Sequence, residues 1–165
     1  MEHEPLSQLA ESLGAELLRV GKMLVTAESC TGGWVGEVVT SIPGSSKWYE
    51  RGFITYTNVA KQEMLGVAAE TLAQYGAVSE ETVREMVAGA LAHSHAQVAL
   101  AISGIAGPGG ATPFKPVGTV CFGWGGQGLI ETETKLFPGD RQTVRQRAVA
   151  HALEGILARL RSGQV

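Results

Sequence analysis

Residues Leu24 to Trp34 read L-V-T-A-E-S-C-T-G-G-W, and this stretch constrains the fold more than any other. Leu24, Val25 and Thr26 read as the end of a short buried strand. Val35, Val38, Val39 and Ile42 then recur at helical spacing, so a helix follows almost at once. The turn carries Ser29, Cys30 and Thr31, with Gly32 and Gly33 expected in the first helical turn. A helix start leaves backbone N–H groups unpaired and carries partial positive charge, and glycines there let a ligand approach the backbone. A hydroxyl or thiol beside such amides has the parts of a nucleophile and an oxyanion hole. A plainer reading stands beside this one: Ser29 caps the helix and Cys30 is an inert, buried thiol. Against it, each helical glycine costs about 1 kcal/mol relative to Ala, which close approach of a ligand would offset.

The remaining segments fit around that turn. Leu6, Leu9, Ala10, Leu13 and Leu17 predict an amphipathic helix stopped near Gly21, and Lys22 to Ala27 the first strand. Pro43 and Gly44 end the second helix, and Ser45 to Trp48 form a connector. Phe53 to Thr57 read as a second strand, Asn58 as the cap of a short helix, and Ala68 to Tyr75 as a further helix. Ser79 is expected to cap a longer helix with Glu80 and Glu81 in its first turn. Val98 to Ile102 is a continuous apolar run, as a strand buried on both faces would be. Val117 to Trp124 and Leu129 to Phe137 predict a hairpin about Gly125 to Gly128. Asp140 caps a last helix with the stripe Val149, Leu153, Ile156, Leu157 and Leu160. Helices alternate with strands early and a hairpin comes late, which predicts an α/β fold with a mixed, mostly parallel sheet in one domain spanning residues 1–165.

Composition excludes several classes. Hydrophobic residues make up 44% of 165 residues and charged ones 18%, so the chain is an ordinary globular one. A net charge of −3 gives nucleic acid no electrostatic footprint. No apolar run reaches the roughly 18 residues that span a bilayer, and the acidic start M-E-H-E-P lacks the basic region of a secretory signal. Two cysteines suit a reducing compartment, so a soluble cytoplasmic protein is expected. A symmetric homodimer is the default oligomer.

Further candidate residues cluster in loops. The S-G-I-A-G-P-G-G stretch, Ser103 to Gly110, directly follows the buried strand, where ligands of open α/β sheets gather. Its backbone amides can cradle a phosphate, although it is neither a Walker A sequence nor G-x-G-x-x-G; read more plainly, it is a surface loop of turn residues. Lys61 is either a solvated helix lysine or a desolvated general base, with Tyr56 able to relay or hold the proton. Arg141 and Arg145, four apart on one helix face, suit an anion clamp or a solvated face, and Lys115 also suits an anion. His93 and His95 have no cysteine nearby, and no metal constellation stands out.

T-A-E-S-C-T-G-G, G-S-S-K-W-Y-E-R-G-F-I-T-Y-T-N, S-G-I-A-G-P-G-G, K-P-V-G-T and F-P-G-D-R occur in this order. Together they resemble the CinA C-terminal family, whose stand-alone members are nicotinamide-nucleotide amidohydrolases, from about Leu6 to Leu160. The resemblance implies a three-layer α/β/α sandwich and hydrolysis of nicotinamide mononucleotide to nicotinate mononucleotide and ammonia in pyridine nucleotide salvage. It implies a Ser/Lys mechanism needing no metal or other cofactor, with Ser29 as nucleophile and Lys61 as base. Ser46 is the runner-up nucleophile and Ser103 the third. Thr31, Gly32 and Gly33 are the expected oxyanion amides, and Ser46, Ser103, Gly104, Gly107 and Arg141 the expected substrate contacts. The alternative is a non-catalytic nucleotide-binding or protein-interaction module linked to competence or DNA repair.

Overall fold

The computed structural model describes residues 5–165, so the acidic start M-E-H-E lies outside the described residues. Helix α1 (Leu6–Val20) is closed by Gly21 at φ 68°, the left-handed conformation that glycine adopts without penalty. Strand β1 (Leu24–Glu28) follows, buried along its whole length, and then α2 (Trp34–Thr40). A single 3-10 turn over Ser45–Lys47 leads into β2 (Tyr49–Ile54). Helices α3 (Asn58–Leu65), α4 (Ala69–Tyr75) and α5 (Glu80–Ala92) precede β3 (Val98–Gly104). The hairpin β4 (Thr119–Gly126) and β5 (Leu129–Leu136) and the long helix α6 (Arg141–Arg161) complete the chain.

The sheet order is β2-β1-β3-β4-β5. Strands β2, β1 and β3 are parallel, whereas β4 runs antiparallel to both neighbours, so four of five strands point one way. Side chains alternate between the faces, and each face has its own core. Leu24, Leu100, Ile102, Phe122 and Trp124 pack under α1, α2 and α6, while Val25, Ala27, Ala99, Ala101 and Cys121 pack under α3, α4 and α5. These are the three layers of an α/β/α sandwich. Fully burying one Leu- or Phe-sized side chain contributes about 1.5–3 kcal/mol, and Leu24, Leu100, Ile102 and Phe122 are all 0% exposed. The α5 face is built of small residues because that helix lies close: a Cβ on Gly123 would stand 2.8 Å from Val87 Cγ2 and 3.0 Å from the Val83 carbonyl oxygen.

Most cap readings hold. Ser79 Oγ accepts from Thr82 N–H at 3.1 Å, and Asp140 Oδ1 accepts from Thr143 N–H at 2.9 Å. Several boundaries differ: β1 spans Leu24–Glu28 rather than Lys22–Ala27, and β3 runs on through Ser103 and Gly104, which read as part of the loop after it. The second strand is Tyr49–Ile54 rather than Phe53–Thr57: as an edge strand it keeps Glu50 and Arg51 in its span. Thr57, not Asn58, caps α3, its Oγ1 accepting from Ala60 N–H at 3.1 Å. The hairpin strands run on through Gly125 and Gly126, leaving a two-residue turn at Gln127 and Gly128, both with positive φ, as a tight hairpin turn of that hand requires.

Candidate active site

The carboxyl ends of the three parallel strands meet at one cleft of about 290 Å³, lined by Ser29, Cys30, Tyr56, Lys61, Ser103 and Arg141 among others. Ser29 directly follows β1, and its N–H extends the ladder to the Ile102 carbonyl at 3.0 Å. Thr55 directly follows β2 and its N–H donates to the Glu28 carbonyl at 2.8 Å. The chain then turns into α3, which presents Lys61 inward.

Lys61 is 1% exposed. Its Nζ lies 3.0 Å from Ser29 Oγ and 2.8 Å from the Thr55 carbonyl oxygen. An ammonium brings three donors, but only these two partners meet it among the described residues. Burial is the main influence and pushes the amine below its ordinary value, with the neighbouring Cys30 thiol acting more weakly the other way. An unprotonated amine keeps an N–H for the Thr55 carbonyl and has a lone pair available to the Ser29 hydroxyl. Buried charge without a carboxylate partner is costly, and the group neutralises instead.

The turn after Ser29 departs from expectation. Gly32 (φ 59°) and Gly33 (φ 101°) precede the helix in left-handed conformations, and α2 starts at Trp34. They curl the chain so that the buried Glu28 carboxylate sits on the helix start. Glu28 Oε1 accepts from Thr31 Oγ1 at 2.6 Å, Gly33 N–H at 3.2 Å and Val35 N–H at 2.9 Å, and Oε2 accepts from Gly36 N–H at 3.0 Å. Gly32 N–H donates to the Ser29 carbonyl at 3.0 Å. The amides of Gly32 and Gly33 are therefore engaged rather than open, and Thr31 is fully buried. The Cys30 N–H has no acceptor among the described residues and stands next to the Ser29 hydroxyl. Cys30 itself is 7% exposed, and burial pushes its thiol up to about 11 against the weaker pull of the Arg145 charge. At neutral pH it is a protonated, inert thiol.

Arg145 does not join Arg141 as an anion clamp. Its Nε donates to the Cys30 carbonyl at 2.9 Å and its Nη2 to the Thr31 carbonyl at 3.3 Å, with the guanidinium over the Trp34 ring. It braces the turn that follows β1. Arg141 Nη1 donates to the Gly107 carbonyl at 2.7 Å and Nη2 to the Tyr56 hydroxyl at 3.1 Å, which places Tyr56 at the cleft mouth on Arg141 rather than on Lys61. Lys115 Nζ is bound to the Tyr75 and Val78 carbonyls, so it pins two loops together instead of reaching for an anion. Ser103 and Gly104 line the cleft. Ser46 does not: it is exposed and lies before the amino end of β2, at the other edge of the sheet, about 20 Å of strand away. Sequence reading missed Glu28 because the left-handed glycines break the usual capping-box spacing.

A serine held by a buried, unpaired lysine at the end of a parallel strand is the arrangement against which known proteins can be compared. The chain is 53% identical over 157 residues to a nicotinamide-nucleotide amidohydrolase, PncC, of Escherichia coli strain K12, covering 93% of this chain and 94% of that protein. It is 48% identical to the Pseudomonas putida protein of the same name, covering 93% of this chain and 96% of the relative. The crystal structure of the competence/damage inducible protein CihA from Agrobacterium tumefaciens superposes with a TM-score of 0.91 at 42% identity, over 98% of this chain and 99% of the other. The CinA C-terminal domain matches residues 6–160, the span that contains every residue of the cleft, and the chain belongs to that family.

Proposed function

We propose that this chain is an amidase that deamidates nicotinamide mononucleotide to nicotinate mononucleotide and ammonia. The names of its PncC relatives support the substrate class. The observation that carries the chemistry is the 3.0 Å contact between Lys61 Nζ and Ser29 Oγ in a buried setting. Neutral Lys61 takes the hydroxyl proton while Ser29 Oγ bonds to the carboxamide carbon and the carbonyl π pair moves onto oxygen. The Cys30 N–H faces that oxyanion. On collapse the C–N bond breaks, Lys61 returns its proton to nitrogen, and ammonia leaves. Water, deprotonated by Lys61, adds to the Ser29 ester, and on collapse the C–Oγ bond breaks, Lys61 returns that proton to Ser29 Oγ, and nicotinate mononucleotide leaves. Arg141 and the Gly104–Gly110 loop are the anchors for the 5′-phosphate, and Tyr56 orients Arg141 at the mouth. The step belongs to pyridine nucleotide salvage, and the buried free thiols Cys30 and Cys121 suit the reducing cytoplasm.

The test is ammonia release from nicotinamide mononucleotide, with nicotinamide as the phosphate-free control. Ammonia from the nucleotide and little from nicotinamide supports the reading. Ligand-induced stabilisation without ammonia would point instead to a non-catalytic nucleotide-binding module.

A further inference from the structure

Glu28 and Ile102 are register partners across the parallel β1–β3 pair, so Ser29 and Ser103 stand level on neighbouring strands. Parallel neighbours lie about 4.8 Å apart. Val25 and Ala27 of β1 share a face with Ala99 and Ala101 of β3. By the two-residue alternation, Ser29 and Ser103 extend that face, the one from which Lys61 enters. Both line the cleft. Ser103 is 1% exposed, and its hydroxyl has no partner among the described residues. It is not sealed in, unlike the buried and unpartnered Thr55 hydroxyl. A hydroxyl so placed is free to donate to a ligand atom in the cleft. No hydrogen bond joins the two serines: Ser29 Oγ is held by Lys61.

The donors on the other side of Ser29 are few. The amides of Gly32, Gly33 and Trp34 are bonded within the turn, and Thr31, whose N–H has no acceptor among the described residues, is fully buried and does not line the cleft. Only the Cys30 N–H is open there, whereas an oxyanion is best held by two donors. We propose that the Ser103 hydroxyl is the second oxyanion donor, donating a hydrogen bond from the β3 side to the oxygen of the tetrahedral intermediate while the Cys30 N–H donates from the α2 side. Ser103 gives up no proton: the hydroxyl hydrogen of Ser29 passes to Lys61 and then to the leaving nitrogen. This rests on the amidase reading above and adds to it the residue that holds the negative charge.

The experiment compares wild type and Ser103→Ala on nicotinamide mononucleotide, on the methyl ester of nicotinate mononucleotide, and with the 3-formylpyridine mononucleotide, whose aldehyde adds reversibly to a serine. Ser103→Ala is expected to lower kcat about 10²-fold on both amide and ester with KM nearly unchanged. Aldehyde affinity should fall by a similar factor. Ser103→Cys, a weaker donor of similar size, should fall between the two, and it carries the same comparison if the alanine variant unfolds. An unchanged kcat, a rise in KM alone, or a loss confined to the amide with the ester untouched would each overturn the assignment. The last of these would place Ser103 on the leaving nitrogen. If wild type itself releases no ammonia, the amidase reading fails. If wild type is active and Ser103→Ala keeps its kcat, only the oxyanion role fails.

Discussion

Lys61 Nζ reaches Ser29 Oγ across 3.0 Å from the layer of helices opposite α2, although the two residues are 32 positions apart in sequence. The contact exists because α3 begins as soon as β2 ends, with its lysine turned toward the sheet. Only the unprotonated amine can take the serine proton. The kcat/KM is therefore expected to climb as pH rises through the lowered pKa of Lys61 and to level off below the ordinary lysine value of 10.5. The same burial acts on stability. Between the lowered pKa and 10.5 the unfolded chain binds more protons than the native one, so stability rises with pH across that window and the full cost is felt below it. Urea unfolding over a pH series should show this slope in wild type and lose it in Lys61→Met.

Cys30 adjoins Ser29 in the cleft yet is expected to be unreactive, with its thiol pushed up to about 11 by burial. Iodoacetamide at pH 8 should leave the native protein active and Cys30 unmodified by mass spectrometry. Rapid alkylation coupled to inactivation would contradict the buried, protonated thiol.

Glu28 offers both carboxylate oxygens to four donors around the start of α2. Glu28→Gln keeps one acceptor and turns an amide N–H₂ toward backbone donors. It is expected to lose about 1–3 kcal/mol in urea unfolding, and kcat should fall because the same turn aims Ser29 and the Cys30 N–H.

Gly89 sets how closely α3 approaches α5. A Cβ there would lie 1.9 Å from the Leu65 carbonyl oxygen, in the last turn of the helix that carries Lys61. Gly89→Ala is expected to cost about 1–3 kcal/mol and to lower activity per folded molecule, because α3 must shift and Lys61 with it. Thermal unfolding alongside ammonia release separates the two effects.

Much of the architecture was legible because local chemistry and tertiary packing agree. The run Val98–Ile102, the Ser79 and Asp140 caps and the α6 stripe each follow from side-chain type and spacing. The strand β2 was displaced because Tyr49–Gly52 carries the polar surface of an edge strand, which alternation rules do not single out. The Ser29–Lys61 pairing came from the resemblance, since no local pattern reveals which helix lysine points inward. Glu28 escaped notice, and Arg145 reads as half of an anion clamp, for a common reason: each acts on backbone groups of a turn whose shape depends on two left-handed glycines. Ser46, chosen from the same motif as the strand it precedes, lies at the wrong edge because parallel strands put their amino ends together, away from Ser29.

The most direct measurement is ammonia release from nicotinamide mononucleotide by folded Ser29→Ala and Lys61→Ala beside wild type. A working dyad predicts that each loses roughly 10³-fold or more in kcat, and that the double variant loses little beyond either single one. Wild-type turnover by either variant would contradict it.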